Sequence, residues 1–312
     1  MRLVLLAGLL ATSLATLQSQ NTSSITSNDL VFLEEMEDTL GLLAYTVLND
    51  SLEENRYIAC RAMIPKLVQA LKRQNSFQYP FEQLHYLSFQ YPPDSSFRII
   101  TWQLFVNRDE YRYYGAIQMN SSELKLFPLI DRSFEISDSE LEQTNYTNDE
   151  WYGYVVYDIK EVKTNNANYY LLFGADTYEA YRRRKMIDIL KFDVQNGKPS
   201  FGLPVFLEEE AGSLVKTRNR LVQEYSAASY ATLKYDPQLN MIMQENLITV
   251  AGPHGEGPVN VPDGSYIGYQ LGEDGRWHSV SKVYNHTYEE APRTQLIQED
   301  EVKRDIIGRR KN

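Results

Sequence analysis

Tyr230-Ala231-Thr232-Leu233-Lys234-Tyr235, then Asp236-Pro237-Gln238-Leu239-Asn240, then Met241-Ile242-Met243-Gln244-Glu245-Asn246-Leu247-Ile248: this stretch decides the fold. A tyrosine-bearing, β-prone segment meets tight-turn chemistry and returns as a second such segment. The unit recurs downstream, where Ser265–Leu271 and Arg276–Val283 flank Gly272-Glu273-Asp274-Gly275. Upstream, the same strand–turn–strand grammar reaches back to Phe97 and, in all, forward to Tyr284. Neighbours joined this tightly pair locally, which predicts an antiparallel β-meander.

From Phe97 the apolar period is two. Ile100, Trp102, Leu104 and Val106 point one way, and Phe97, Ile99, Thr101, Gln103 and Phe105 the other. Asn107-Arg108-Asp109 turns the chain, Tyr111–Met119 returns and Leu124–Ile130 follows. Residues 131–149 are acidic and polar without an apolar period, and read as an exposed loop. Next come Trp151–Val162 and Ala167–Gly174, then Lys185–Val194 and Ser200–Leu207 joined through Asn196-Gly197, then Arg220–Tyr225. Tyr152–Ile159 and Tyr169–Phe173 are apolar on both faces, so the sheet is expected to be curled, barrel-like or two-layered. The irregular spacing argues against a propeller or solenoid.

Ahead of the strands, Asp29–Leu48 carries Leu33, Met36, Leu40, Leu43, Ala44 and Val47 at helical spacing, with Ser27 or Asn28 as N-cap. A second helix over Leu52–Arg73 buries Tyr57, Cys60, Ile64, Leu67, Val68 and Leu71, and Pro65 should kink or restart it. The fold expected is α+β, mainly β, with an N-terminal helical hairpin packed on a large antiparallel β-meander. The boundaries read as a signal peptide over 1–19, a polar leader over 20–28, one domain over 29–290 (hairpin 29–73, meander 97–284) and a polar tail over 291–312.

Met1-Arg2 followed by the apolar Leu3–Leu17 and then Gln18-Ser19-Gln20-Asn21 is the pattern of a secretory signal cleaved after Ser19. A buried N-terminal helix is the plainer reading, but the apolar run ends abruptly in a polar Ser/Thr/Asn tract. No cysteine follows the cleavage point, so a lipoprotein is not expected. Mean hydropathy is −0.45, and no later apolar run reaches bilayer length, so no transmembrane segment is expected after cleavage. The chain has 31 basic and 42 acidic residues, a net charge of −11, and removal of Arg2 with the signal makes it −12. That argues against a general nucleic-acid or anionic-membrane partner, so no nucleic acid is expected. Arg182-Arg183-Arg184-Lys185 reads as a solvated turn, and Arg309-Arg310-Lys311 as a frayed end. Cys60 is the only cysteine, so neither an intramolecular disulfide nor a multi-cysteine zinc site can form, and it reads as a buried inert thiol. Sequons occur at Asn21, Asn49, Asn120, Asn145 and Asn285.

Catalytic signatures are sparse. There is no Gly-X-Ser-X-Gly elbow, no phosphate-binding P-loop and no His-Glu-X-X-His, and a three-histidine metal site would need nearly all of His85, His254, His278 and His286, from distant segments. No metal or other cofactor is expected. The loop Ala251–Asp263 holds the catalytic candidates His254 and Glu256, read as an acid/base pair or as two metal ligands, against the plainer reading of a Gly/Pro connector. Asp158, Asp176, Asp188, Asp193 and Asp236 lie on or beside strands, but nothing in the sequence brings two together for glycoside hydrolysis. Trp102, Tyr111, Tyr113, Tyr114, Trp151, Tyr152 and Tyr154 offer a sugar- or peptide-stacking face, with Trp102, Tyr113, Trp151 and Tyr154 the ligand-binding candidates. Packing in the core or at the sheet margin is their default role.

Ala59-Cys60-Arg61, Leu67–Lys72, Asn75–Phe81, Phe97–Leu104, Tyr111–Gln118, Tyr169–Gly174, Gly197–Gly202 and Leu233–Pro237 together resemble a group of uncharacterised exported proteins of Bacteroidetes-type bacteria. The resemblance covers most of the mature chain. It implies a bacterial origin and a periplasmic or extracellular location, it weakens the glycan-acceptor reading of the sequons, and it supplies no catalytic residues. The function expected is that of an exported, non-catalytic binding or scaffold protein whose partner is a glycan or an envelope protein. The alternative is a carboxylate-dependent, glycan-directed hydrolase with its site near 251–263.

Overall fold

A computed structural model describes residues 24–164, 167–208, 216–252 and 254–280. The expected signal peptide, residues 20–23 of the leader, the sequons at Asn21 and Asn285, the last strand beyond Val280 and the polar tail lie outside the described residues. In chain order the elements are α1 (Ser27–Asn49), α2 (Glu53–Leu71), β1 (Ser88–Gln90), β2 (Phe97–Asn107), β3 (Glu110–Met119), β4 (Leu126–Ile130), α3 (Asp138–Leu141), β5 (Tyr146–Thr147) and β6 (Val155–Lys163). They continue with β7 (Asn168–Asp176), β8 (Arg182–Phe192), β9 (Pro199–Phe201), β10 (Phe206–Glu208), β11 (Lys216–Arg218) and β12 (Leu221–Ser226). The last four are β13 (Leu233–Asp236), β14 (Met241–Ala251), β15 (Pro258–Leu271) and β16 (Trp277–Val280).

The chain is mainly β with an N-terminal helical pair, as its sequence indicates. Among the described residues the ladder divides into three sheets, with no closed barrel. The first sheet runs β1-β2-β3-β4; the central one runs β5-β9-β8-β7-β6, with β12 along the start of β8; the third runs β11-β10-β16-β15-β14-β13. Pairing is antiparallel except between β10 and β16.

Alternation explains the stacking. Ile100, Trp102, Leu104 and Val106 of β2 pack under α1 and α2 with Leu33, Leu40, Met63 and Leu67. The opposite face sends Phe97 and Ile99 against Val156, Leu172, Met186 and Leu190 of the central sheet. Leu171, Phe173, Ile187 and Ile189 leave the far side of that sheet to meet Ile242, Tyr269 and Trp277 of the third. Four layers result: helices, sheet, sheet, sheet. The two inner sheets are covered on both faces, hence their double-sided apolar strands. Each fully buried large apolar side chain contributes about 1.5–3 kcal/mol.

Polar staples tie the helices down. Arg56 of α2 donates to the Phe105 and Val106 carbonyls, each at 2.7 Å. Glu37 of α1 accepts from the Tyr79 hydroxyl and from the Gln83 amide. Buried Arg98 donates to Gln118, Tyr91 and the Tyr79 and Ser76 carbonyls. Thr26 caps α1 at Asp29, one residue ahead of the expected cap.

Four sequence readings need correction. α2 does not restart at Pro65 but runs from Glu53 to Leu71 as one helix, with Pro65 on its exposed side. Ser200–Leu207 is two strands in two sheets, separated at Gly202. Residues 131–149 are not simply an exposed loop: Leu141 is buried, and the Leu141 and Thr144 carbonyls accept from Arg220. Arg182–Lys185 is the start of β8 rather than a solvated turn. Arg182 pairs with Glu179 and Glu224, and Arg184 pairs with Glu224 and Asp138 while lying over the Tyr178 ring.

Candidate functional site

The sequence-derived candidates fall in two places. His254 and Glu256 sit at the tip of the β14–β15 hairpin, a narrower loop than expected because β14 extends to Ala251 and β15 begins at Pro258. Glu256 accepts from the His254 backbone amide at 2.7 Å, so its carboxylate braces the turn and does not meet the imidazole. The imidazole instead lies beside the Tyr181 ring, with centroids 5.8 Å apart. Trp102, Tyr113, Trp151 and Tyr154 are all buried, so the exposed aromatic face expected of them does not form. Trp102 stacks on Tyr114 beneath the helices, and Trp151 packs on Tyr154 between the first two sheets.

The strand carboxylates are equally committed. Asp193 and Asp236 cap turns, at Gln195 and Asn196 and at Gln238 and Leu239. Asp158 accepts from the Ile159 amide. Asp176 is buried and accepts from the Tyr113 hydroxyl at 2.7 Å, the Tyr152 hydroxyl at 2.8 Å and the Tyr178 amide at 2.8 Å. Burial pushes its carboxyl above the usual range, against the pull of those donors. Burial, reinforced by the neighbouring carboxylate, holds the Tyr113 and Tyr152 phenols well above 10, so both remain donors at neutral pH. Asp188 pairs with Arg220 at 3.2 Å, and its carboxyl is likewise raised by burial. Among the described residues, no group of three or more His, Cys, Asp or Glu is placed to hold a metal ion.

A cleft of about 550 Å³ lies against β3 and β4, and of the sequence-derived aromatic candidates Tyr111, Tyr113 and Tyr114 take part in its lining. Residues 110–114 of β3 line one wall, Leu129 and Ile130 the β4 side, and Asp131, Ser133 and Phe134 the loop that follows. Asp131 shapes that loop by accepting from the amides of Tyr113 at 2.9 Å, Ser133 at 2.9 Å and Gly153 at 3.2 Å. Gly153 has to be glycine, because a Cβ there would lie 2.5 Å from the Tyr113 Cβ and 2.6 Å from the Asp131 Cγ. The turn leaves Phe134 76% exposed and Ile130 41% exposed at the mouth. Arg112 is held by Glu110 at 2.9 Å, which keeps the ion pair at the rim. A lone phenylalanine in the acidic 131–149 stretch was the available sequence signal.

Neither His254 nor Glu256 lines the β3–β4 cleft. Comparison with protein-family models, curated proteins and solved structures found no match to the chain.

Proposed function

We propose that the chain is an exported, non-catalytic binding protein that grips an aromatic or aliphatic side chain of a partner protein in the β3–β4 cleft. One observation carries the reading. Phe134 and Ile130 stand exposed at the mouth of a concavity whose Asp131 carboxylate is already occupied by backbone amides and whose Arg112 guanidinium is held by Glu110. A sugar needs free acceptors and donors, whereas a partner's apolar side chain needs the desolvation this lining offers, about 1.5–3 kcal/mol for one large side chain. The ion pair at the rim suits the polar margin of such an interface. The hydrolase reading keeps no comparable support, since its histidine and its carboxylates point to different neighbours.

The test is selection from a peptide display library and a glycan array, run on the full chain and on Phe134→Ser. The expected result is peptides enriched in Phe, Tyr, Trp or Leu, bound at least about tenfold more weakly by Phe134→Ser at unchanged Tm. Glycans selected in place of peptides, or equal binding by both proteins, would overturn the reading. Export rests on the Met1–Ser19 pattern; recovery of the protein with Gln20 as its first residue is the expected mark of it.

A further inference from the structure

Pro65 stands inside an unbroken α2. It has no N–H, so the Arg61 carbonyl one turn earlier loses its helical donor. Arg61 and Pro65 both line a second cleft, of about 600 Å³, between α2 and β3. Its other walls are Glu54, Tyr57, Ile58, Ile64 and Tyr114, with buried Cys60 in the floor. Among the described residues, neither the Arg61 guanidinium nor the Glu54 carboxylate has an ion-pair or hydrogen-bond partner. This sets them apart from Arg182, Arg184, Arg218 and Arg220, all of which are paired.

Glu54, Ile58, Arg61 and Pro65 follow one another at three- and four-residue steps, which places them on one face of α2. At 1.5 Å per residue, Glu54 and Arg61 are about 10 Å apart along the axis. The cleft therefore presents a free anion at one end, a free cation at the other beside the carbonyl that Pro65 leaves without its i+4 donor, and Ile58 between. Its complement is a zwitterion of about that length: an ammonium, an apolar middle, and a carboxylate with a donor N–H beside it. An extended peptide advances about 3.3–3.6 Å per residue, so about three residues span the distance.

We infer that the α2–β3 cleft binds short linear peptides of about three residues with both ends free. The amino end meets Glu54, the carboxylate meets Arg61, and the last peptide N–H meets the Arg61 carbonyl. A volume of 600 Å³ suits a ligand of that size. The inference does not depend on the β3–β4 cleft, and Phe134→Ser leaves it untouched.

The experiment passes a randomised tripeptide pool over the immobilised full chain, beside an N-acetylated pool and a C-amidated pool, with retention read by mass spectrometry. The free pool is expected to be retained at least about tenfold better than either blocked pool. Arg61→Gln should abolish the preference for a free carboxylate alone, and Glu54→Gln the preference for a free amine alone. Pro65→Ala restores the helical N–H, so it should raise Tm and weaken retention together, a pairing that a purely structural proline would not give. Equal retention of blocked and free pools, or no retention of any pool, overturns the inference.

Discussion

Asp188 and Arg220 show what a buried charge pair demands of its neighbours. Their side chains are 1% and 0% exposed. Asp188 also accepts from the Ile189 amide at 2.8 Å and from the Tyr154 hydroxyl at 3.4 Å, and Arg220 lies over the Tyr146 ring while donating to the Leu141 and Thr144 carbonyls. Removing one partner strands the other charge, at a cost of about 3–5 kcal/mol, whereas replacing both with apolar groups recovers much of it. Arg220→Met should thus lower the urea midpoint sharply, and Asp188→Leu combined with Arg220→Met should lower it much less. The pH dependence follows from the raised Asp188 carboxyl. A raised native value means that the proton-linked stability is complete below the unfolded value, about 3.9, and is lost as pH rises through the native one. The Arg220→Met deficit should therefore shrink as the urea titrations move from pH 7 towards pH 4. A deficit that is flat with pH would mean the carboxylate is not the stranded group. Sequence could offer Asp188 as a strand carboxylate, but its partner is a β12-proximal arginine that only the pairing of β12 with β8 brings near.

At the scale of the element, local period was a good guide and punctuation a poor one. The two faces of β2 were legible because apolar residues alternate over Phe97–Val106 and both faces are buried. The arm of β14 and β15 was not, because Gly and Pro were taken to end strands. Pro258 opens β15, and Pro262 sits beside the register shift between Glu245 and Leu247, two positions where a strand tolerates proline. Gly202 misled in the other direction. With φ at +93° it turns the chain out of the central sheet after β9, so that β10 can enter the third. A Cβ there would also lie 2.7 Å from the Asn145 Oδ1 and 3.0 Å from the Arg220 Nη2. Gly202→Ala should cost about 2–3 kcal/mol by strain alone, read as a fall in urea midpoint. A change within about 0.5 kcal/mol, the range of an ordinary surface substitution, would show that the switch between sheets tolerates a side chain. The β3–β4 cleft was legible only on its β3 side, through Tyr111, Tyr113 and Tyr114; Phe134 becomes a mouth residue only through the Asp131 turn and its contact with the remote Gly153.

The distribution of tyrosine belongs to the whole molecule. The chain has 23 tyrosines, and the layers bury many of them where sheet meets sheet or sheet meets helix. Burial is the leading cause that holds the phenols of Tyr113, Tyr152 and Tyr154 well above 10, raises those of Tyr157 and Tyr269, and pushes those of Tyr114, Tyr169 and Tyr170 up to about 12. For a phenol raised in the native state, the linked stability is complete below the unfolded value of about 10 and drains away as pH climbs through the native values. Because these residues come from every sheet, their ionisation cannot be confined to one layer. The protein should withstand pH 10 and then unfold alkaline-side in a slow step. In that step, tyrosinate absorbance near 295 nm and loss of near-ultraviolet circular dichroism should advance together. Absorbance that reaches its plateau near pH 10.5 while the dichroism stays native would mean these rings are open to solvent, and the four-layer packing would fall with that result.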